Sequence, residues 1–375
     1  MAASTILGMD VYLFDFHVIR PAHLISQEEI LEWIALSHAQ AEAAKNREPF
    51  DQKFHEEIRS RLLKLGVGKE KIQSRGIQLP EIFEKEHQKR NIYNFLEKPY
   101  GQTLTERATV FSNSIRPLFE KFYPEKCKAP SHLIHITCTG YVSPSGAQEI
   151  VSKRGMGKST VVTHAYHMGC YAAIPGLRIA SGFLSKSGTR VDLVHTEFCS
   201  LHMNPLLHET EQLVVQSLFA DGFIKYTLSG QNGIFKILQL QEEILEATTE
   251  QMTWRTEEWG FRMFISKEVP FLISRVLPEF VERLKASPSA LFAIHPGGPK
   301  IIEQVKKSLK LSDEQIHHSQ MILRTCGNMS SATLPHIWEE IGKDRKVKVG
   351  TEIVSLAFGP GLTVCAAHLE KTGHV

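Results

Sequence analysis

Three residues lie far apart in the 375-residue chain but share one local setting. Cys170, His295 and Asn328 each follow a stretch that reads as strand and precede one that reads as helix. In parallel α/β layers the carboxyl ends of strands are where sites form. Only a fold could bring the three together, so their grouping is an expectation about the fold and not a local motif. The residue types suit one chemistry. A thiol is a poor nucleophile until it loses its proton, and a neighbouring imidazolium with a helix N-terminus lowers its pKa from ~8.5 to roughly 3.5–7.5. Cys170 stands just before a helical segment, and His295 would supply the cation. Such a pair takes an acyl group from a thioester, while His295 and Asn328 donate hydrogen bonds to the oxygen on which charge develops. Pro175 is a local objection, since it costs a helical hydrogen bond unless it falls in the first turn. Taken singly, each residue also has a structural reading. A cysteine before an alanine-rich helix is usually a packed core thiol. His-Pro-Gly-Gly can be a plain turn, and Gly-Asn-Met-Ser-Ser an Asn turn with a serine cap.

The elements that must position these residues are legible in part. Residues 27 to 45 carry apolar positions at helical spacing with acids early, which predicts a helix. Residues 46 to 130 are charged and mostly helical, punctuated at Gly66, Gly68, Pro80, Pro99 and Gly101. Strands are predicted over 131–138, 159–166 and 191–196, with a helix over 171–183 between the last two. The C-terminal part repeats the scheme: strand 290–294, helix 299–309, a stretch 321–325 leading into a turn, helix 330–341, and a hairpin of 352–358 with 362–367 around Gly359-Pro360-Gly361. Strands alternating with helices argue for parallel α/β layers. Ser229-Gly-Gln-Asn-Gly233 is a junction between halves, giving units 1–228, with the cysteine, and 229–375, with the histidine and asparagine.

Composition narrows the function classes. Charged residues make up 22% and hydrophobic ones 42%, and 43 basic residues against 41 acidic ones leave a net charge of +2. So even a balance gives no reason to expect nucleic acid or a membrane surface as partner. The six cysteines lack CxxC spacing, which reads as reduced thiols. Met1 to Gly8 carry no basic segment before an apolar core, and no apolar run approaches the ~20 residues of a bilayer span. A cytoplasmic enzyme is the expectation. Gly155-Met-Gly-Lys-Ser-Thr160 looks like the tail of a phosphate-binding loop, but Ser152 stands where its first glycine belongs and a strand follows. His164, His167 and Cys170 alternate faces on a strand, so no metal site is expected.

Ile294-His-Pro-Gly-Gly-Pro299, Cys326-Gly-Asn-Met-Ser-Ser-Ala332 and Phe358-Gly-Pro-Gly-Leu-Thr363 resemble, in order and in spacing from His167-Met-Gly-Cys170, the signatures of type III polyketide synthases, the chalcone synthase-like family. The resemblance covers about residues 130 to 367. It implies a thiolase-like fold, with two pseudo-repeated βαβαβαββ halves in a five-layered αβαβα core, and a homodimer. It implies Cys170, His295 and Asn328 as catalytic residues. Phe219 and Phe261 would be gatekeeping phenylalanines; Cys199, His202 and Ser330 would line the substrate pocket. Tyr171-Ala-Ala-Ile-Pro175, Cys199 with His202, and Cys138-Thr-Gly-Tyr-Val-Ser-Pro144 depart from the plant members, which bears on product and not on reaction class. Glu197 reads as a buried structural carboxylate.

The implied reaction is a decarboxylative Claisen condensation of malonyl-CoA onto an acyl-CoA starter held on Cys170, then cyclisation or release, without metal or redox cofactor. Basic residues at a tunnel mouth would hold the CoA phosphates, and Lys64, Lys71 and Arg75 are the first choices from the basic segment 59–75. Two rivals stand beside this reading. A ketoacyl-ACP synthase III elongates once on a carrier protein and has His-Gln-Ala-Asn where this chain has His295-Pro-Gly-Gly298. A thiolase-fold partner subunit without catalysis would have no need of all three triad residue types.

Overall fold

A computed structural model describes residues 10 to 375 except 85, 87, 88 and 188. Met1 to Gly8, read above for a leader, lie outside the described residues. The strands are β1 Tyr12–Ile19, β2 His23–Ser26, β3 Ser74–Ile77, β4 His132–Thr137, β5 Val161–Tyr166, β6 Val191–Glu197, β7 Gly222–Ser229, β8 Phe235–Ile244, β9 Met252–Glu257, β10 Gly260–Ile265, β11 Leu291–Ile294, β12 Glu352–Gly359 and β13 Thr363–Lys371. The helices are α1 Gln27–Asn46, α2 Gln52–Leu65, α3 Leu104–Phe122, α4 Gly146–Lys153, α5 Ala173–Ser187, α6 Thr210–Leu218, α7 Val269–Glu282, α8 Pro299–Leu309, α9 Asp313–Cys326 and α10 Thr333–Lys343.

The large sheet has the order β11-β12-β13-β8-β1-β7-β6-β4-β5, and this order contains a repeat. On one side β4 pairs parallel with β6, β6 antiparallel with β7, and β7 antiparallel with β1. On the other, β11 pairs parallel with β12, β12 antiparallel with β13, and β13 antiparallel with β8. The two sets meet where Tyr12 and Leu13 of β1 pair with Lys236 and Phe235 of β8. The 229–233 turn lies between β7 and β8, at the change from one set to the other.

The layers follow from burial. Every residue of β6 is buried, as is nearly every residue of β12 and β13, the pattern of strands covered on both faces. Helix α5 packs on β4, β6 and β7 of its own set and on β13 of the other; α10 packs on β7 and β11. These two helices form the middle layer. Small residues let it close: Ala172, Ala173 and Ala180 share one core with Ala293, Ala357 and Ala367 of the opposite set. Pro175 is the third residue of α5, where its missing N–H is not needed.

Two expectations need correction. The stretch 321–325 is the end of helix α9 and not a strand, so the second set lacks a counterpart of edge strand β5 among the described residues. A Ser312 capping box starts this helix, which runs unbroken to Gly327. The region 330–341 is a short 3-10 turn at Ser330–Ala332 followed by α10. Val161-Val-Thr-His-Ala-Tyr166 is a strand, so no helix follows the glycine-lysine-serine stretch.

Candidate active site

The cysteine sits on a sharp corner between β5 and α5. His167 has φ 60° and Gly169 φ 91°, and Gly169 N–H donates to Cys138 Sγ (3.0 Å). A Cβ at position 169 would fall 2.6 Å from Pro360 Cδ, and one at Gly359 would fall 1.9 Å from Tyr171 Cδ1. The β12–β13 turn therefore packs directly on the corner that presents Cys170. His295 follows β11, and its backbone N–H donates to Leu356 O (2.7 Å). Asn328 follows α9, not a strand, and is held by a bridge to Phe219: Asn328 N–H donates to Leu218 O and Ala220 N–H to Asn328 O.

These three residues surround one small cavity, together with Phe219, Met263 and Phe358. All three are buried. Asn328 Oδ1 accepts from Ser330 N–H (2.8 Å), which leaves the amide Nδ2 as the unspent end. Asn328 Nδ2 and both ring nitrogens of His295 have no partner among the described residues. Buried polar atoms are normally hydrogen-bonded, so orphans beside a buried thiol indicate groups held ready for a ligand.

The electrostatics bear on the expected resting state. Burial pushes the Cys170 thiol up to about 12, with the nearby Ser330 hydroxyl acting against it. Burial also pushes His295 down to about 3. Burial thus disfavours each charged form taken singly, the thiolate and the imidazolium alike.

A second, larger cavity adjoins the first. Cys170, Phe219, Phe261, Cys199, His202 and Ser330 all line it, so the structure brings the five pocket residues together with the cysteine. Ser330 Oγ lies 3.9 Å from Cys170 Sγ. His202 has both nitrogens engaged: Nδ1 accepts from Phe261 N–H (3.2 Å) and Nε2 donates to Thr139 O (2.8 Å). Its ring lies 4.5 Å from that of Phe261, tilted by 34°. This histidine ties the β9–β10 hairpin to the site.

Sequence reasoning missed Trp254 in that hairpin. Its Nε1 donates to Cys138 O (2.7 Å), its carbonyl accepts from His167 Nε2 (2.9 Å), and its ring packs on Phe261. The β9–β10 alternation was the available signal. Glu197 is fully buried; it accepts from Cys138 N–H, Thr139 Oγ1 and Ser331 Oγ, and burial raises its carboxyl above the usual range.

The basic residues divide. Lys64 is exposed in the last turn of α2, and Lys71 is exposed and pairs with Glu303 of α8 (2.8 Å). Arg75 does not stand at a mouth at all. It is 2% exposed, in the wall of the larger cavity, because β3 is a covered strand wedged against α9.

With this geometry in place, the comparisons decide the family. Residues 121–228 match the model of the chalcone and stilbene synthase N-terminal domain, and residues 236–371 match that of the C-terminal domain. The chain belongs to the chalcone and stilbene synthase family. Similar proteins include "Probable polyketide synthase 1" of Dictyostelium discoideum, 26% identical over 64% of this chain and 8% of that protein. "Type III polyketide synthase C" of Arabidopsis thaliana is 28% identical over 62% of this chain and 65% of its own length. "Putative chalcone synthase" of Bacillus subtilis is 27% identical over 65% and 71%. The alignments thus span less than two thirds of the first two relatives. Among solved structures, the C-terminal type III polyketide synthase domain of Steely1 from Dictyostelium superposes with TM-score 0.81 at 21% identity, covering 97% of this chain and 99% of that one. 1,3,6,8-Tetrahydroxynaphthalene synthase from Streptomyces coelicolor gives 0.77 at 20%, covering 97% and 100%. The fold is thus the thiolase-like fold of type III polyketide synthases, and it takes in the described residues before 130, where the sequence motifs fall silent. No described helix is long and apolar enough to cross a membrane.

Proposed function

We propose that the chain is a condensing acyltransferase that extends an acyl-CoA starter with malonyl-CoA on Cys170. One observation carries the reading: the unspent donors of His295 and Asn328 share a small buried cavity with the Cys170 thiol. Cys170 Sγ attacks the starter carbonyl, and the neutral His295 accepts the thiol proton. The oxyanion is held by Asn328 Nδ2 and by the imidazolium just formed; its collapse expels CoA, which takes the proton. Malonyl-CoA then loses its carboxylate as CO2. The electron pair left behind forms an enolate whose oxygen occupies the same two-donor site. The enolate carbon attacks the Cys170 thioester, forming the new carbon–carbon bond and expelling the thiolate. Apolar walls, with Met263, Phe219 and Phe358, favour neutral CO2 over a carboxylate. This cycle calls for no metal or redox cofactor.

The assembly is a homodimer in this reading. Strand β5 is an unpaired edge with Val161 57% exposed, and the neighbouring Tyr141 is 68% exposed, which suits a second copy. The six cysteines are free thiols, in keeping with a cytoplasmic location. Lys64 and Lys71 are the exposed candidates for CoA phosphate. The test is a panel of acyl-CoAs with malonyl-CoA, read by product mass. Products extended by two-carbon units support the reading. A requirement for malonyl carrier protein would transfer it to a ketoacyl-ACP synthase.

A further inference from the structure

The wall of the larger cavity includes a buried cation, Arg75, two of whose donors meet no acceptor among the described residues. Arg75 Nη1 donates to the carbonyls of Gln216 (2.8 Å) and Phe219 (2.7 Å). Its Nε and Nη2 are buried and have no partner among the described residues. The carboxylates nearby are engaged elsewhere. Asp221 accepts from Gln78 N–H, Ser200 N–H and Ser200 Oγ, while Glu81 accepts from Ile92 and Tyr93 N–H. The guanidinium is not free to swing toward other acceptors. A Cβ on Gly327 would lie 3.0 Å from Arg75 Cγ, so the stem runs tight against that backbone. Gln216 is itself clamped, its Oε1 accepting from His38 Nε2 (2.7 Å) and its Nε2 donating to Asn204 O (3.2 Å).

Burying a charge with unmet donors is unfavourable, and an apolar side chain of similar volume often serves stability as well or better. Burial pulls Arg75 down to about 9, with Asp221 the one charge that resists. The two carbonyls account for Nη1 but not for the unmet Nε and Nη2. Nε–H and Nη2–H form one edge of the guanidinium, two parallel donors suited to a ligand with two acceptors side by side. The surrounding wall is largely apolar, with Ile34, Ile77, Leu79 and Val215, so this edge is the feature that could orient a chain. A poly-β-keto chain carries what fits: the oxygens of a 1,3-diketone, or of its enolate, are spaced to meet both donors.

We infer that the free edge of Arg75 binds a 1,3-dioxygenated segment of the acyl chain attached to Cys170, so that the cavity favours poly-β-keto chains over saturated ones. This inference rests on the proposed condensing function. It is tested with 3,5-dioxohexanoyl and hexanoyl N-acetylcysteamine thioesters, following Cys170 acylation by intact-protein mass. In the loading step Cys170 Sγ gains the acyl group and N-acetylcysteamine leaves as its thiol with the Cys170 proton. Wild type should load the dioxo chain about 10- to 100-fold faster, the range of hydrogen bonds to a charged group. Arg75→Met should erase the preference by slowing the dioxo chain far more than the hexanoyl chain. Arg75→Met also strips two carbonyls of their donor; if it does not fold, Arg75→Lys, which keeps a donor for them but not the two-pronged edge, should reduce the preference. An equal ratio in wild type and in the folded variant overturns the inference. If neither thioester acylates wild-type Cys170, the condensing function falls first and the role of Arg75 with it.

Discussion

Pro360 occupies the space that a side chain at position 169 would need, 2.6 Å from where its Cβ would lie. Gly169 also has φ 91°, a conformation that side chains resist. Gly169→Ala should therefore displace Cys170 and reduce acylation at least tenfold, with a stability loss of about 1–3 kcal/mol. Pro360→Ala in the same chain should restore part of the activity but not the backbone strain. Thermal unfolding and acylation rates of the two single variants and the double variant would check this. No interaction between the substitutions would contradict direct packing.

His295 and Asn328 should contribute separately to the enolate. His295→Ala and Asn328→Ala should each slow malonyl-CoA decarboxylation about 100- to 1,000-fold. The histidine ring nitrogens hold nothing else, so His295→Ala should leave the hydrogen-bond framework intact. Asn328→Ala also deprives Ser330 N–H of its acceptor, and should cost about 1–3 kcal/mol of stability. Decarboxylation at wild-type rate in either variant would remove that residue from the site.

The resting thiol is neutral by this account. With Cys170 pushed up to about 12, its iodoacetamide reaction should climb close to tenfold per pH unit between pH 7 and 9, because the thiolate fraction does. Rates measured in a Cys170-only variant at fixed ionic strength would show it. A plateau below pH 7 would mean that an imidazolium–thiolate pair exists after all.

Acid should unfold the protein early. Burial holds His38, His135, His195, His202 and His295 down to about 3 and His336 down to about 4. Below pH 6.5 the unfolded chain takes up protons at these positions while the folded chain does not. Stability therefore falls as pH falls, by about 1.4 kcal/mol per pH unit for each group. Asp221, raised to about 6, and the buried carboxyls of Glu197, Glu81 and Glu339, also raised, act in the opposite direction and offset part of the loss. A total stability of about 5–15 kcal/mol should be exhausted near pH 5. Circular dichroism against pH would reveal a cooperative transition there; a native signal at pH 4 would rule out the neutral histidines.

The sequence exposed the parts with local punctuation. Strands β4, β5 and β11, helix α8 and the β12–β13 hairpin were legible because apolar runs end at Gly or Pro, and β6 through its β-rich run. Strands β1, β7 and β8 passed unnoticed, although β1 and β8 join the two halves, since their pairing is non-local and their composition unremarkable. The strand expected at 321–325 is a helix because the Ser312 cap and the pattern that follows it favour one long element. The triad residues were legible through their glycine-rich neighbours. The resting charge state and the burial of Arg75 were not, because both depend on how much protein covers a residue, which one chain segment does not report.

The central claim is that Cys170 carries the acyl chain, and intact-protein mass after mixing with an acyl-CoA tests it most directly. Wild type should gain one acyl group, which peptide mapping places on Cys170 and which malonyl-CoA then extends or releases. Cys170→Ala, folded by circular dichroism, should gain none. A stable adduct on another cysteine, with turnover preserved in Cys170→Ala, would contradict the account.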